Sequence, residues 1–322
     1  MSELFVKHVA LDIPTEDKAK AISFYTDFGL NIKTPTANQI EANCTDIPYP
    51  SIVLRTGAAF KRLNHIQMGA SEVAFQKIQK QLTLSGVALL TPPSGYTKKG
   101  LWFREPNGIL FNVLKCDDHY QVKPVPPFLI NTPGHINRVN QGAQPPKSTL
   151  PDACPLKMGH VLLFTPDVES SLAFLETILD MRLSDRSGSG IVFTHSQGGS
   201  EHHVIAFAKS SHIGFHHASF LVGSPDEVGL GGTRMIEKGH NKSWGFGRHA
   251  IGSNFFHYVA DPWGSYAEYY SDMDYIINSD SWKATDWPPE DALHTWGPTP
   301  PADFVHNYEA EHLIKDTQHE TR

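Results

Sequence analysis

The feature that most constrains this sequence is that it repeats itself. Residues 7–30, KHVALDIPTEDKAKAISFYTDFGL, return as residues 159–182, GHVLLFTPDVESSLAFLETILDMR. Both stretches have a His-Val opening, a short apolar run and a turn with Pro and Asp, then apolar residues at helical spacing. His8 corresponds to His160, an offset of 152. NHIQMGA (64–70) matches HHASFLV (216–222) at the same offset and pairs His65 with His217. FREPNGILFNVL (103–114) matches VADPWGSYAEYY (259–270) at an offset of 156, pairing Pro106 with Pro262 and Asn112 with Glu268. Three ordered markers at nearly constant offset identify a duplicated domain.

Each half reads in turn as two shorter units of strand, helix and several strands. HVLLFTP, HHVIAFA, FHHASFLV, FFHYVAD and SYAEYYS are short, rich in β-branched and aromatic residues, and bounded by turn formers. EVAFQKIQKQLTLSG and LAFLETILDM carry helical periodicity. The expected fold is α+β: four tandem βαβββ modules forming two cupped, barrel-like mixed sheets, followed by a tail. The expected divisions are 1–119 for a non-catalytic half, 120–157 for a connector, 158–279 for a catalytic half and 280–322 for a tail or lid. The stretch 120–155 holds eight of the 23 prolines and marks an irregular connector. Trp287, Trp296 and Phe304 in the tail read as cover for an apolar face.

The chain has 322 residues, 40% hydrophobic and 19% charged, which suits a two-domain globular protein. A net charge of −7 without a basic stripe argues against a nucleic-acid partner. No apolar run of roughly 20 residues suggests a membrane span, and no secretory signal is visible. Cys44, Cys116 and Cys154 are too few and too scattered for a disulfide framework or a cysteine-rich zinc site, and point to a reducing cytoplasm.

Ten of the eighteen histidines lie between 160 and 257. Histidine is the commonest metal ligand. His160, His217 and Glu268 come from three different strands of the second half. Two imidazoles and one carboxylate on one face of a metal leave the opposite face open, the arrangement of non-heme Fe(II) oxygenases. The first half has His8, His65 and Asn112 at the matching positions, and the amide is a poor ligand for a divalent metal. His203, His249 and Tyr258 add proton-carrying groups; the position matching Tyr258 is Trp102. Strand alternation turns His216 and His257 away from the metal if His217 and Tyr258 face it. His195, His202, His212 and His240 read as surface or loop residues.

These residues resemble the type I extradiol catechol dioxygenases of the vicinal oxygen chelate superfamily, over nearly the whole chain. The strongest part is GRHAIGSNFFHYVADPWGSYAEYYSDMDYI (247–276). There the family's His, Tyr, Asp-Pro-x-Gly and Glu match His249, Tyr258, Asp261, Pro262, Gly264 and Glu268 in spacing. His216-His217 followed by Phe220 resembles its HHxxF strand, and Gly159-His160-Val161 its first-ligand strand. The resemblance implies His160, His217 and Glu268 as ligands to Fe(II), with Mn(II) able to take the same set. It implies His203 as acid/base, with adjacent His202 as the alternative, and His249 and Tyr258 as hydrogen-bonding partners of the substrate. The implied reaction opens a catechol ring beside the diol with O2, giving a muconic semialdehyde type of product. A homo-oligomer is also implied. The rival on the same fold is a glyoxalase- or epimerase-like lyase or isomerase, which carries one more carboxylate ligand. A drug-sequestering binder of the superfamily lacks the ligand set.

Overall fold

The computed structural model describes residues 4–116 and 122–320. In the first half the strand-forming runs give β1 (Leu4–Ile13), β2 (Asn31–Thr36), β3 (Gln39–Asn43), β4 (Ile52–Thr56), β5 (Arg62–Ala70), β6 (Leu101–Arg104) and β7 (Leu110–Lys115). Helices α1 (Lys18–Asp27) and α2 (Glu72–Leu84) follow β1 and β5. The Ser71 hydroxyl starts α2 by accepting from the Ala74 amide, and Ala74, Ile78 and Leu82, at i, i+4 and i+8, form its buried stripe.

The second half contains β8 (Lys157–Thr165), α3 (Val168–Ile178), β9 (Met181–Ser187), β10 (Ile191–Ser196), β11 (Ser200–Glu201), β12 (Ile205–Lys209) and β13 (Gly214–Leu221). Then come α4 (Pro225–Glu237), β14 (Ser243–His249), β15 (Phe255–Ala260), β16 (Tyr266–Ser271) and β17 (Tyr275–Ile276). The tail contributes β18 (Thr285–Asp286), β19 (His294–Trp296) and α5 (Tyr308–Glu320).

Two mixed sheets result. The first has seven strands in the order β2-β3-β4-β1-β5-β7-β6, the second ten in the order β18-β9-β10-β12-β8-β13-β16-β15-β14-β19. At the centre of each, two antiparallel strands (β1 with β5, β8 with β13) are flanked by parallel neighbours. The duplication is therefore topological as well as sequential. The second module departs from the expected pattern: only β6 and β7 follow α2, because among the described residues 85–100 form no strand. The expected division at 119/120 falls within 117–121, outside the described residues. Between 122 and 156 there is a single 3-10 turn and one isolated bridge, as a proline-rich connector requires.

The halves share one apolar core. Phe28 of the first stacks on Tyr269 of the second at 3.9 Å, and the Tyr269 hydroxyl donates to the Phe28 carbonyl. No helix among the described residues is long and apolar enough to cross a membrane. The tail does more than lie over a face. β18 extends the sheet beside β9, and β19 extends its opposite edge beside β14, so the segment between them spans the mouth of the cupped sheet.

Candidate metal centre and active site

Strand register brings the central residues together. His160 on β8 stands opposite Ser219 on β13, Ser219 opposite Glu268 on β16, and Glu268 opposite Tyr258 on β15. Paired residues share a face, and so do residues two apart. Hence His217, two before Ser219, joins the same face. His160 Nε2 is 3.3 Å and His217 Nε2 3.8 Å from Glu268 Oε2. Among the described residues this is the one trio of His, Cys, Asp or Glu side chains whose donor atoms all lie within 4.8 Å of one another. The trio is buried, and His217 Nε2 has no hydrogen-bond partner. A buried polar atom without a partner is costly, so the donor set fits a divalent cation that would engage all three atoms.

Two motif residues owe their identity to crowding and backbone geometry. A side chain on Gly159 would meet the Tyr270 hydroxyl at 1.8 Å, so the position before His160 admits only hydrogen. In the Asp-Pro-Trp-Gly turn, Asp261 Oδ1 accepts from the Trp263 and Ser265 amides, and Gly264 sits at φ +89°. That turn fixes the register of β15 on β16 and so sets Tyr258 across from Glu268.

Glu268 is fully buried. Burial alone opposes its ionisation, but the neighbouring imidazoles, His160 foremost, more than offset this and hold the carboxyl well below the usual carboxylate range. The Ser219 hydroxyl donates to Oε2, and the Asn254 amide donates to Oε1 at 3.3 Å. Burial, then Glu268, pushes the Tyr258 phenol far above its ordinary value, so it stays a donor. Burial, then the rings of His160, His202, His217 and His249, pulls His203 well below its ordinary value, so it is neutral at physiological pH.

Hydrogen-bond partners assign the tautomers. A carbonyl oxygen only accepts. The Leu293 carbonyl therefore takes the Nδ1 hydrogen of His249 at 2.6 Å, leaving Nε2 to accept from the Tyr258 hydroxyl at 2.9 Å. The Phe304 carbonyl likewise takes the Nε2 hydrogen of His216 at 2.8 Å. His216 Nδ1 must then accept from His217 Nδ1, 2.6 Å away, which leaves the lone pair of His217 on Nε2 beside Glu268. Both orienting carbonyls come from the tail.

The open side of the trio faces a cavity. Its walls include Leu162, Phe193, Ile251, Leu293 and Phe304, with His203, His249 and Tyr258 among the polar groups. The six site residues anticipated from sequence thus line or border one space. Phe304 of the tail is part of its wall, whereas Trp287 bonds to Asp185 and Trp296 packs on Phe246 and Phe255.

Three expectations are corrected. His216 does not turn away from His217, because the ladder slips between Phe215 and His217 and the bulge puts both rings on the cavity side. His257 does turn away, toward Gly232 of α4. His195 and His202 are buried, not at the surface. The segment 279–287 covers them: Ser279 bonds His195 Nε2 at 2.8 Å, and Trp282 packs edge-on against His202. Sequence reasoning also missed Ser219, which the two-residue strand period from His217 would have found. It missed Asn254 and Asp185, for which no sequence signal exists.

Residues 157–269 match the family model of the Glyoxalase/Bleomycin resistance protein/Dioxygenase superfamily. The chain is 39% identical over 311 residues to metapyrocatechase 2 of Cupriavidus necator, covering 95% of this chain and 92% of that one. Its fold is similar to that of a Mn(II)-bound glyoxalase from Novosphingobium aromaticivorans, with a TM-score of 0.71, 20% identity, and coverage of 96% and 100% of the two chains. It is also similar to an extradiol ring-cleaving dioxygenase from Brevibacterium fuscum, with a TM-score of 0.72, 18% identity, and coverage of 94% and 81%. At such identities the structural likenesses establish the fold alone.

Proposed function

The chain belongs to the extradiol dioxygenases of the Glyoxalase/Bleomycin resistance protein/Dioxygenase superfamily, and on that premise we propose that His160, His217 and Glu268 hold one Fe(II) at which a catechol is opened beside its diol by O2. The observation that carries the reading is the trio itself: two imidazoles and a carboxylate on one side, and an apolar cavity on the other. Mn(II) suits the same donors, and metal analysis separates the two. The lyase alternative calls for a fourth ligand, a second carboxylate, and among the described residues none joins the trio.

When bound, the metal would bring the catechol oxygens and O2 together and spread charge between them. The protein's own groups do the rest. His203, neutral and at the cavity, takes a proton from a catechol hydroxyl and returns it later. The Tyr258 hydroxyl, aligned by His249 Nε2, turns from that ring to a substrate oxygen and stabilises charge there. The apolar walls exclude water and hold the ring.

Among the described residues, no lysine or arginine lines the cavity. A ring carboxylate would lose its water there without gaining a cationic partner. The favoured substrates are therefore catechols that are unsubstituted or carry small apolar groups. In this reading residues 158–279 form the catalytic half and 1–119 a structural copy. The enzyme works in the cytoplasm, as its few and scattered cysteines suggest, and as a homo-oligomer.

The test is anaerobic reconstitution with Fe(II), addition of catechol, 3-methylcatechol and 2,3-dihydroxybiphenyl, then admission of oxygen under visible absorbance. A yellow ring-opened product that disappears in Glu268→Ala supports the assignment. A Glu268→Ala protein that binds metal and turns over normally would overturn it.

A further inference from the structure

We propose that Asp185 and His202 form a relay that fixes which ring nitrogen of His203 carries the hydrogen, so that both are positioning residues for ring cleavage. The proposal rests on the reading of His203 as the acid/base group.

Asp185 on β9 is buried, and both its oxygens are engaged. Oδ1 accepts from the Thr285 amide at 2.7 Å. Oδ2 accepts from the Trp287 indole at 3.2 Å and lies 3.2 Å from His202 Nε2. A carboxylate has no hydrogen to give, so His202 Nε2 must carry one. In a neutral imidazole Nδ1 is then a lone-pair acceptor. His202 Nδ1 stands 3.1 Å from His203 Nδ1, and the contact is a hydrogen bond only if His203 Nδ1 donates. The lone pair of His203 is thereby set on Nε2, the nitrogen left for the substrate's proton. In the reversed arrangement the His202 Nε2 lone pair would face the Asp185 carboxylate in a buried site, which is repulsive.

The logic is that of a carboxylate orienting a catalytic imidazole, with one imidazole more in the chain. Two further observations support it. The tail is built onto the relay: β18 pairs with β9 at Thr285 and Asp185, and the Trp282 indole donates to the Ser184 carbonyl at 2.7 Å. The first half lacks it. Val9 pairs with Ile52 as Val161 pairs with Ile205, so Tyr49 and Pro50 stand where His202 and His203 stand. The half without the carboxylate ligand thus lacks both histidines of the relay.

The test uses the metal-loaded enzyme with catechol, and the metal-free chain for tautomers. In Asp185→Asn the amide can donate toward His202, which reverses the chain and moves the His203 hydrogen to Nε2. The expected result is a fall in kcat of about 100-fold or more with KM within about threefold and full metal content. In ¹⁵N-histidine spectra of the metal-free protein, the His203 signal, identified by its loss in His203→Gln, changes from the Nδ1-H to the Nε2-H pattern. His202→Asn, whose amide oxygen stands near the former Nδ1, still accepts from His203 and stays within about tenfold of wild type. The double variant Asp185→Asn with His202→Asn matches His202→Asn alone and so regains activity over Asp185→Asn. Should Asp185→Asn not fold, His202→Leu falling as far while His202→Asn does not carries the same conclusion.

Wild-type turnover in Asp185→Asn while His203→Gln is slow would overturn the relay alone. An unchanged His203 tautomer, or multiplicative losses in the double variant, would do the same. Wild-type turnover in His203→Gln would instead overturn the acid/base assignment beneath it.

Discussion

His257 offers a test of the packing argument away from the metal. It lies on β15 with its ring toward α4, is 4% exposed, and neither ring nitrogen has a hydrogen-bond partner. Burial lowers its pKa from 6.5 to about 4. Between these values the unfolded chain binds a proton that the folded chain does not, so stability is full above pH 6.5 and falls as the pH drops toward 4. At pH 5, about 1.5 units below the unfolded value, this one residue removes about 2 kcal/mol, at 1.36 kcal/mol per unit. His257→Leu deletes the titration and two unpaired buried nitrogens while keeping most of the volume. Urea unfolding of the metal-free protein at pH 8 and pH 5 should show the variant losing about 2 kcal/mol less than wild type over that interval. It should be at least as stable as wild type at pH 8. The other buried histidines are common to both proteins and cancel in the difference. Equal pH dependence in the two proteins would refute the reasoning.

Tyr258→Phe should retain the metal but lower kcat by about 10- to 100-fold, since it removes the hydroxyl held by His249; metal content and steady-state rates decide the matter. Catechol should exceed 3,4-dihydroxybenzoate in kcat/KM by about 100-fold or more, because an unpaired carboxylate in this cavity costs about 3 kcal/mol; comparable values would refute the neutral-substrate reading. Phe304→Ala should cost about 3 kcal/mol of stability and raise KM, because Phe304 packs on Trp244, Tyr258, Tyr266 and His216 as part of the cavity wall. Its backbone carbonyl remains, so metal content should not change.

Much of this architecture was legible because duplication writes the same physical constraints twice. The His-Val strands, the helices after them and the Asp-Pro-x-Gly hairpin follow from local period and turn chemistry, and they suffice to locate His160, Tyr258 and Glu268. Features that depend on long-range cover were not legible. His195 and His202 read as surface residues because nothing local announces that residues 279–287 lie over them. Asp185 sits in the unremarkable MRLSDRS, and its carboxylate finds its partners only when the fold brings His202, Thr285 and Trp287 to it. The bulge at His216 breaks the two-residue period, and no single residue there signals it. The missing strand after α2 is a loss from one of four repeats, which pattern matching to the other three cannot detect.

The two copies of the central row explain how one backbone serves as both a plug and a site. In the second half the row is His160, Ser219, Glu268 and Tyr258; in the first, the same pairings align His8, Gln67, Asn112 and Trp102. In the first row most polar groups find a neutral partner. Gln67 donates to Asn112 at 2.8 Å, Asn112 to the Lys99 carbonyl at 3.2 Å, and Trp102 to the Thr97 carbonyl at 3.1 Å. His8 and His65 hydrogen-bond to each other through their Nε2 atoms at 3.3 Å. Satisfied neutral networks of this kind rigidify a core. The second row leaves a carboxylate, an unpartnered His217 Nε2 and a short serine where the first has a long glutamine. Restoring a carboxylate at Asn112 alone would bury a charge against Gln67 without room for the cation that could neutralise it. The difference between the copies therefore lies in the whole row, with Ser219 making the space that Glu268 needs to act as a ligand.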